Sequence, residues 1–310
     1  MANITATAPK RRIKKGKIHE GNPIATVIMY AIAVLTSIIC VYPIYYVAIM
    51  SISTPHAINT GLVWVWPDAF NLDPYKIIVD DSAIWTAYGN TIIYVVGSVL
   101  LMLTTCLLAG YPLTCRNLIG RKLITVYIMI PMYFGAGVIP VYLHMRSYGM
   151  INNPFVMFLT HGYSMWYIIL TRTYLLSIPD ALRDSAKIDG ANHFRTLFNI
   201  FMPLAKPIIA VIAIYTVINV WNGWMTASLY LTNLDYQPLQ LYLRRVLVTA
   251  KGDLGVANSP SEAAKLAEME YNAAGLQYAL IVFTTAPVLA VYPFFQKYFV
   301  KGTMVGSVKG

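Results

Sequence analysis

The sequence predicts an all-α membrane protein with six transmembrane helices, and three observations carry that prediction. Apolar residues fill 57% of the 310 positions and charged residues only 12%, about half of the roughly 25% found in soluble domains. Mean hydropathy is +0.58. Six apolar runs also come close to the about 20 residues that cross roughly 30 Å of hydrocarbon as a helix. Together these exclude an ordinary soluble enzyme, a disordered chain, and a nucleic-acid binder resting on the +10 net charge. Cys40, Cys106 and Cys115 are too few, and too apolar in setting, for a disulfide framework or a cysteine metal site.

The first span, Ile24–Met50, follows a basic run of Lys10, Arg11, Arg12, Lys14, Lys15 and Lys17. That run is like the start of a signal peptide. The apolar stretch behind it far exceeds the 7–15 residues of a signal-peptide core, so it reads as an uncleaved span. The others are Ile84–Leu108, Leu123–Leu143, Pro154–Leu170, Pro207–Leu231 and Ala273–Phe295. Cytoplasmic loops carry the excess of Lys and Arg. With the N-terminus inside, 17 of the 23 basic residues fall in inner segments and 6 in outer ones, whereas acidic residues divide 4 inside and 9 outside. Both termini are therefore expected inside. The organisation is a basic N-terminus (1–23), a transmembrane domain (24–296) with an inner loop at 171–206 and an outer loop at 232–272, and an inner tail (297–310).

No Asp, Glu, Lys or Arg lies in any of the six cores. Such residues mark proton relays, ion paths and voltage sensors, so a proton-coupled carrier or ion pore is disfavoured. Polarity in span five takes another form. Asn219, Asn222, Gly223 and Thr226 fall at i, i+3, i+4 and i+7, one face of a helix, with Trp221 and Trp224 beside it. Such a stripe must face protein or water. It reads either as a pathway for a neutral, hydroxyl-rich solute or as helix–helix packing. Span four carries a weaker stripe of Thr160, Ser164 and Thr171 with His161 alongside. A lone histidine there reads as a satisfied interior residue, and no metal-ligand spacing accompanies it.

The inner segment Thr171–Lys206 is too long for a simple turn. Ser177-Ile178-Pro179-Asp180 reads as a helix start with Ser177 as its cap, and a short helix follows over Ala181–Ile188. Gly190 then permits a bend. A second helix carries Phe194, Leu197, Phe198 and Phe201 on one stripe, and Pro203 and Pro207 punctuate the start of span five. The resulting helix–bend–helix elbow suits a membrane-surface pair or a docking element for a soluble partner.

The run Asp184-Ser185-Ala186-Lys187-Ile188-Asp189-Gly190-Ala191, followed by Phe198, Ile200, Pro203 and Pro207, closely resembles the EAA loop of permease subunits of bacterial ABC importers. That family pattern is Glu-Ala-Ala, two residues, Asp-Gly-Ala, then spaced Ile and two prolines. Asp184 and Ser185 depart from its first two positions. Asp184 keeps the charge on a shorter side chain, which resets any ion pair to an ATPase. Ile139-Pro140-Val141-Tyr142, Trp221-Asn222, Pro238-Leu239-Gln240-Leu241, the run Tyr292–Phe299 and the tail Lys301–Gly310 resemble the carbohydrate-uptake branch. Within it the likeness is to the shorter maltose-transporter permease and to complex-oligosaccharide permeases, over nearly the whole chain after residue 20.

The resemblance implies a type I importer (MetI-like) fold of six helices in a bacterial cytoplasmic membrane. It also implies pairing with a second permease, two copies of a cytoplasmic ATPase, and an extracytoplasmic solute-binding protein. Asp184, Ser185, Ala186, Asp189, Gly190, Ala191 and Phe194 would then couple to the ATPase, with the Phe194/Leu197/Phe198/Phe201 face tying the elbow to the bundle. ATP and Mg²⁺ would be used by the partner, with no cofactor bound by this chain and no catalytic residue. The chain agrees in having no Gly-x-x-x-x-Gly-Lys-Ser/Thr phosphate loop. Translocation candidates are Asn219, Trp221, Asn222 and Thr226, for a di- or oligosaccharide including uronic-acid fragments. The tail Gly302–Gly310 is expected to touch the ATPase. Ser261–Glu270 should be an outer helix meeting the binding protein. A standalone transporter or channel for a neutral solute is the competing reading.

Overall fold

A computed structural model describes residues 23–252 and 273–290. The basic run at Lys10–Lys17, the Ser261–Glu270 helix, the end of span six beyond Ala290 and the Gly302–Gly310 tail lie outside the described residues. Every regular element within them is helical, apart from one isolated antiparallel bridge between Ser53 and Phe70.

The chain divides after Val47. The first unit is the body of α1 (Pro23–Ser51), where Ile28, Leu35, Ile39 and Ile44 are all more than half exposed. A helix apolar on every side belongs in lipid or against another membrane helix.

In the second unit, α2 (Pro55–Asn59) and α3 (Asp73–Asp80) lead into α4 (Ser82–Gly110), the element against which the rest is built. Asp81 caps α4, its Oδ1 accepting from Ala83 N at 2.8 Å. Interruptions follow. Helices α5 (Arg121–Tyr133) and α6 (Val138–Ser147) meet at 112° across a break containing Gly137, whose φ of +82° suits glycine. Next come α7 (Phe155–His161) and α8 (Met165–Leu176), separated at Gly162–Ser164. After α9 (Asp180–Ile188), α10 (His193–Thr196), a π turn (Leu197–Phe201) and α11 (Met202–Leu204) form a segment that meets α12 (Lys206–Trp221) at 80°. Then come α13 (Trp224–Tyr230), α14 (Leu239–Gly252) and α15 (Ala273–Ala290).

The structure therefore refines the six uninterrupted spans of the sequence prediction. Among the described residues, α1, α4 with its following turn, and α15 are long and apolar enough to cross a membrane singly, and the two bent pairs raise that number to five. Span four is the exception, because its seven- and twelve-residue halves are separate helices. Hydropathy averages over a window and does not register a three-residue break.

Glycines let α7 approach α4. A β-carbon on Gly97 would stand 2.3 Å from the Phe158 ring, and one on Gly162 would stand 2.4 Å from Leu101 and 2.5 Å from the Phe158 carbonyl. Toward one end of α4, Met102, Cys106, Tyr111, Leu175, Leu197 and Phe201 share a core. Toward the other, Ile84, Trp221, Leu239, Tyr242 and Leu280 form a second. Between the two, Tyr94, Val156, Met157 and Tyr230 belong to a third.

Candidate functional site

The elbow has the expected helix–bend–helix form, with its start corrected. Ser177 does not cap α9. It closes α8, where its Oγ donates to the Tyr174 carbonyl at 2.7 Å, and Pro179 precedes the first turn of α9. At the far end, Gly190 takes φ +73°. Its N–H reaches the Lys187 carbonyl at 3.1 Å, and Ala191 N–H reaches the Ala186 carbonyl at 2.9 Å. This pair of bonds is a Schellman closure, which glycine favours because it carries no β-carbon. Asn192 then caps α10 through Oδ1, which accepts from Arg195 N at 2.8 Å.

The geometry sorts the predicted coupling residues. Asp184, Ser185, Asp189 and Gly190 are exposed, Ala191 is half-buried, and Ala186 is buried as the contact face of α9. Beside them Ile188 stands 86% exposed.

The predicted aromatic stripe splits in two. The π turn adds a residue to the helix and rotates the face, and Pro203 withholds the amide that would bond the Asn199 carbonyl. Leu197 and Phe201 enter the core, whereas Phe194 and Phe198 remain 65% and 47% exposed. Half of the stripe therefore anchors the elbow. Phe194 instead lines a cavity of about 710 Å³ with Tyr111, Arg116, Asp180, Asp184 and Lys187.

An anchor that the sequence reading missed is Arg183. It donates to the Thr114 carbonyl at 3.2 Å and the Thr114 hydroxyl at 2.7 Å. Its guanidinium lies 4.9 Å from the Phe201 ring centroid and 5.6 Å from that of Tyr111. Asp180 joins the cluster through a 2.6 Å ion pair with Arg116. Counted only as one more inner positive charge, Arg183 gave no sign of being turned inward. The available signal was its three-residue spacing from Ala186, which places both on one face of α9.

The polar stripe of span five is not one continuous face. Helix α12 stops at Trp221 and α13 starts at Trp224. Asn219 and Asn222 are exposed and Thr226 is half-buried. Trp221 does not flank them. It is buried, donates to the Thr284 carbonyl at 3.3 Å and packs edge-on against Tyr88. Trp224 lies under the Arg244 guanidinium, 3.3 Å from its ring centroid. In span four two of the three hydroxyls serve the backbone: Thr160 donates to the Val156 carbonyl at 2.8 Å and Ser164 caps α8, whereas the Thr171 hydroxyl is buried without a hydrogen-bond partner.

Asn152 (φ +55°) ties the loop before α7 to the loop after α13. Its Oδ1 accepts from Thr232 N and Thr232 Oγ1, both at 2.7 Å, and from Asn233 N at 2.9 Å. Asp81 accepts from the Tyr242 hydroxyl, pinning α14 to the start of α4. Among the described residues no His/Cys/Asp/Glu group is arranged to hold a metal ion.

Residues 102–305 match the family of binding-protein-dependent transport system inner membrane components, and the chain belongs to that family. It is 32% identical over 290 residues to the polygalacturonan/rhamnogalacturonan transport system permease protein YtcP of Bacillus subtilis, covering 93% of this chain and 99% of the relative. Identity to the maltodextrin transport system permease protein MalD of Streptococcus pneumoniae is 27%, over 77% of this chain and 80% of that one. Among solved structures, a chain of a bacterial ABC transporter involved in import of the acidic polysaccharide alginate superposes with a TM-score of 0.81 at 33% identity, covering 89% of this chain and 97% of the other. The fold is thus that of an ABC importer permease, a component of a membrane transport system.

Proposed function

We propose that this chain is one of two permease subunits of an ABC importer for oligosaccharides, and that its cargo is a uronic-acid-containing fragment of an acidic polysaccharide. The observation that carries the reading is the rigid elbow. A Schellman-closed α9 presents Asp184, Ser185, Ile188 and Asp189 outward, while Ala186 and Arg183 hold it to the body. Such an element suits docking to a partner that moves as a unit, because a push on it reaches α4 without being absorbed by the loop.

In this reading residues 24–296 form the transmembrane domain, and both termini face the cytoplasm of a bacterial cell. The partners are a second permease, two ATPase copies that use ATP and Mg²⁺, and an extracytoplasmic solute-binding protein. This chain contributes docking and half of a pathway rather than hydrolysis. Asn219, Asn222 and Thr226 lie on its solute side, and Trp221 supports them from behind. The acidic cargo is supported by the relative named for polygalacturonan and rhamnogalacturonan and by the alginate importer.

The test is uptake by the complete importer, with its binding protein, in sealed vesicles. Oligogalacturonides should accumulate only when ATP is hydrolysed. Preference for a neutral maltodextrin of equal length would contradict the cargo, and accumulation without any ATPase would contradict the class.

A further inference from the structure

Spans four and five are both interrupted near their middles, and the interruptions touch. The break at Gly162–Ser164 begins beside His161, and the break at Asn222–Gly223 lies opposite. A β-carbon on Gly223 would stand 3.3 Å from His161 Nε2 and 3.0 Å from the Asn219 carbonyl oxygen.

The hydrogen bonds fix the histidine ring. Its Nδ1 lies 3.0 Å from the Met157 carbonyl and 3.0 Å from Thr160 Oγ1. A carbonyl only accepts, and Thr160 already gives its hydrogen to Val156, so Nδ1 carries the proton. In the neutral ring this leaves Nε2 as an acceptor. Across the break, Gly223 N–H turns to the Val220 carbonyl at 3.2 Å, which releases the Asn219 carbonyl from the helical ladder. The exposed amides of Asn219 and Asn222 lie on the same turn. Polar groups left free inside a membrane span need water, protein or solute as partners. Unwound backbone at mid-span is tolerated where it lines a cavity or a binding site.

We propose that His161 contacts the solute: Nε2 and the Asn219 carbonyl together accept hydrogen bonds from sugar hydroxyls, and Gly223 is required because a side chain there would cover both. The proposal departs from the sequence reading of His161 as a satisfied interior residue. The inference rests on the import reading above.

The test uses the complete importer in vesicles, comparing His161→Gln and His161→Leu. Both variants should co-purify with their partners in wild-type yield. Glutamine can still accept a hydrogen bond, so His161→Gln should hold the half-saturating oligosaccharide concentration within about three-fold of wild type. Leucine should raise it about ten-fold, the effect of one lost hydrogen bond. Wild-type uptake in His161→Leu, or equal impairment of the two variants, would overturn the proposal. Failure of the wild-type complex to import any oligosaccharide would instead refute the import reading, and this one with it.

Discussion

Arg183 of α9 grips Thr114 by both its carbonyl and its hydroxyl, at 3.2 and 2.7 Å, with the Phe201 ring beneath the guanidinium. One side chain thus joins the elbow, the turn that follows α4 and the π turn before span five. Its side chain is only 17% exposed. Partial burial of a cation is costly unless it is paired; the two bonds to Thr114 together with Asp180, 3.7 Å away, serve its two terminal nitrogens, whereas Nε is buried without a hydrogen-bond partner. Movement imposed on α9 must consequently reach α4 and α12.

Replacing Arg183 should separate ATP hydrolysis from transport. Arg183→Met keeps the bulk of the side chain but loses charge-assisted bonds of about 1.5–3 kcal/mol each. The complex should assemble and hydrolyse ATP, with sugar moved per ATP reduced about ten-fold. Arg183→Lys, which keeps the charge without the planar fork, should fall between. An unchanged transport-to-hydrolysis ratio in Arg183→Met would show that the grip plays no part in coupling.

Gly190 permits a graded test. A residue with a β-carbon pays about 1–2 kcal/mol in the left-handed region, and proline cannot reach a φ of +73° at all. Space does not confound the series, since nothing lies within 4 Å of a β-carbon there. Uptake should decline in the order Gly, Asn, Ala, Pro, with assembly intact throughout. Normal uptake in Gly190→Pro would mean that the bend is dispensable.

Packing between α4 and α7 predicts unequal costs for two small substitutions. In Gly162→Ala the new methyl meets a backbone carbonyl at 2.5 Å, which cannot swing aside. In Gly97→Ala it meets the Phe158 ring at 2.3 Å, a side chain that relieves the clash by swinging about an ångström. Overpacking typically costs about 1–3 kcal/mol. Thermal unfolding of the purified complex should show Gly162→Ala as the more destabilised of the two, and the reverse order would place the tight contact elsewhere.

Asn152 should matter for its oxygen. Asn152→Asp keeps an acceptor for the three bonds from Thr232 and Asn233, and Asn152→Ala loses it while also straining a backbone at φ +55°. Proteolysis of the two loops that Asn152 joins should accelerate severalfold in Asn152→Ala and little in Asn152→Asp. Equal susceptibility would remove the latch from the account.

Much of the architecture was legible because membrane insertion constrains composition directly: apolar runs gave the spans, and Asp189-Gly190-Ala191 gave the turn that Gly190 makes. The interruptions were not legible. Asn222-Gly223 and Gly162 resemble the small polar pairs that also occur within continuous membrane helices, and only tertiary contact decides whether the ladder opens there. For the same reason Trp221 read as a pathway residue, although it donates inward to Thr284. Arg183 and α14 were missed because charge bias and hydropathy do not report which way a side chain turns.

The most direct test is purification of the tagged chain from its native membrane in mild detergent, followed by mass spectrometry of what accompanies it. A second, related permease and an ABC ATPase, with two ATPase copies per permease pair, is the predicted result. Recovery of this chain folded and alone, time after time, would contradict the account, return the standalone transporter, and reduce the elbow to a helix pair lying on the membrane surface.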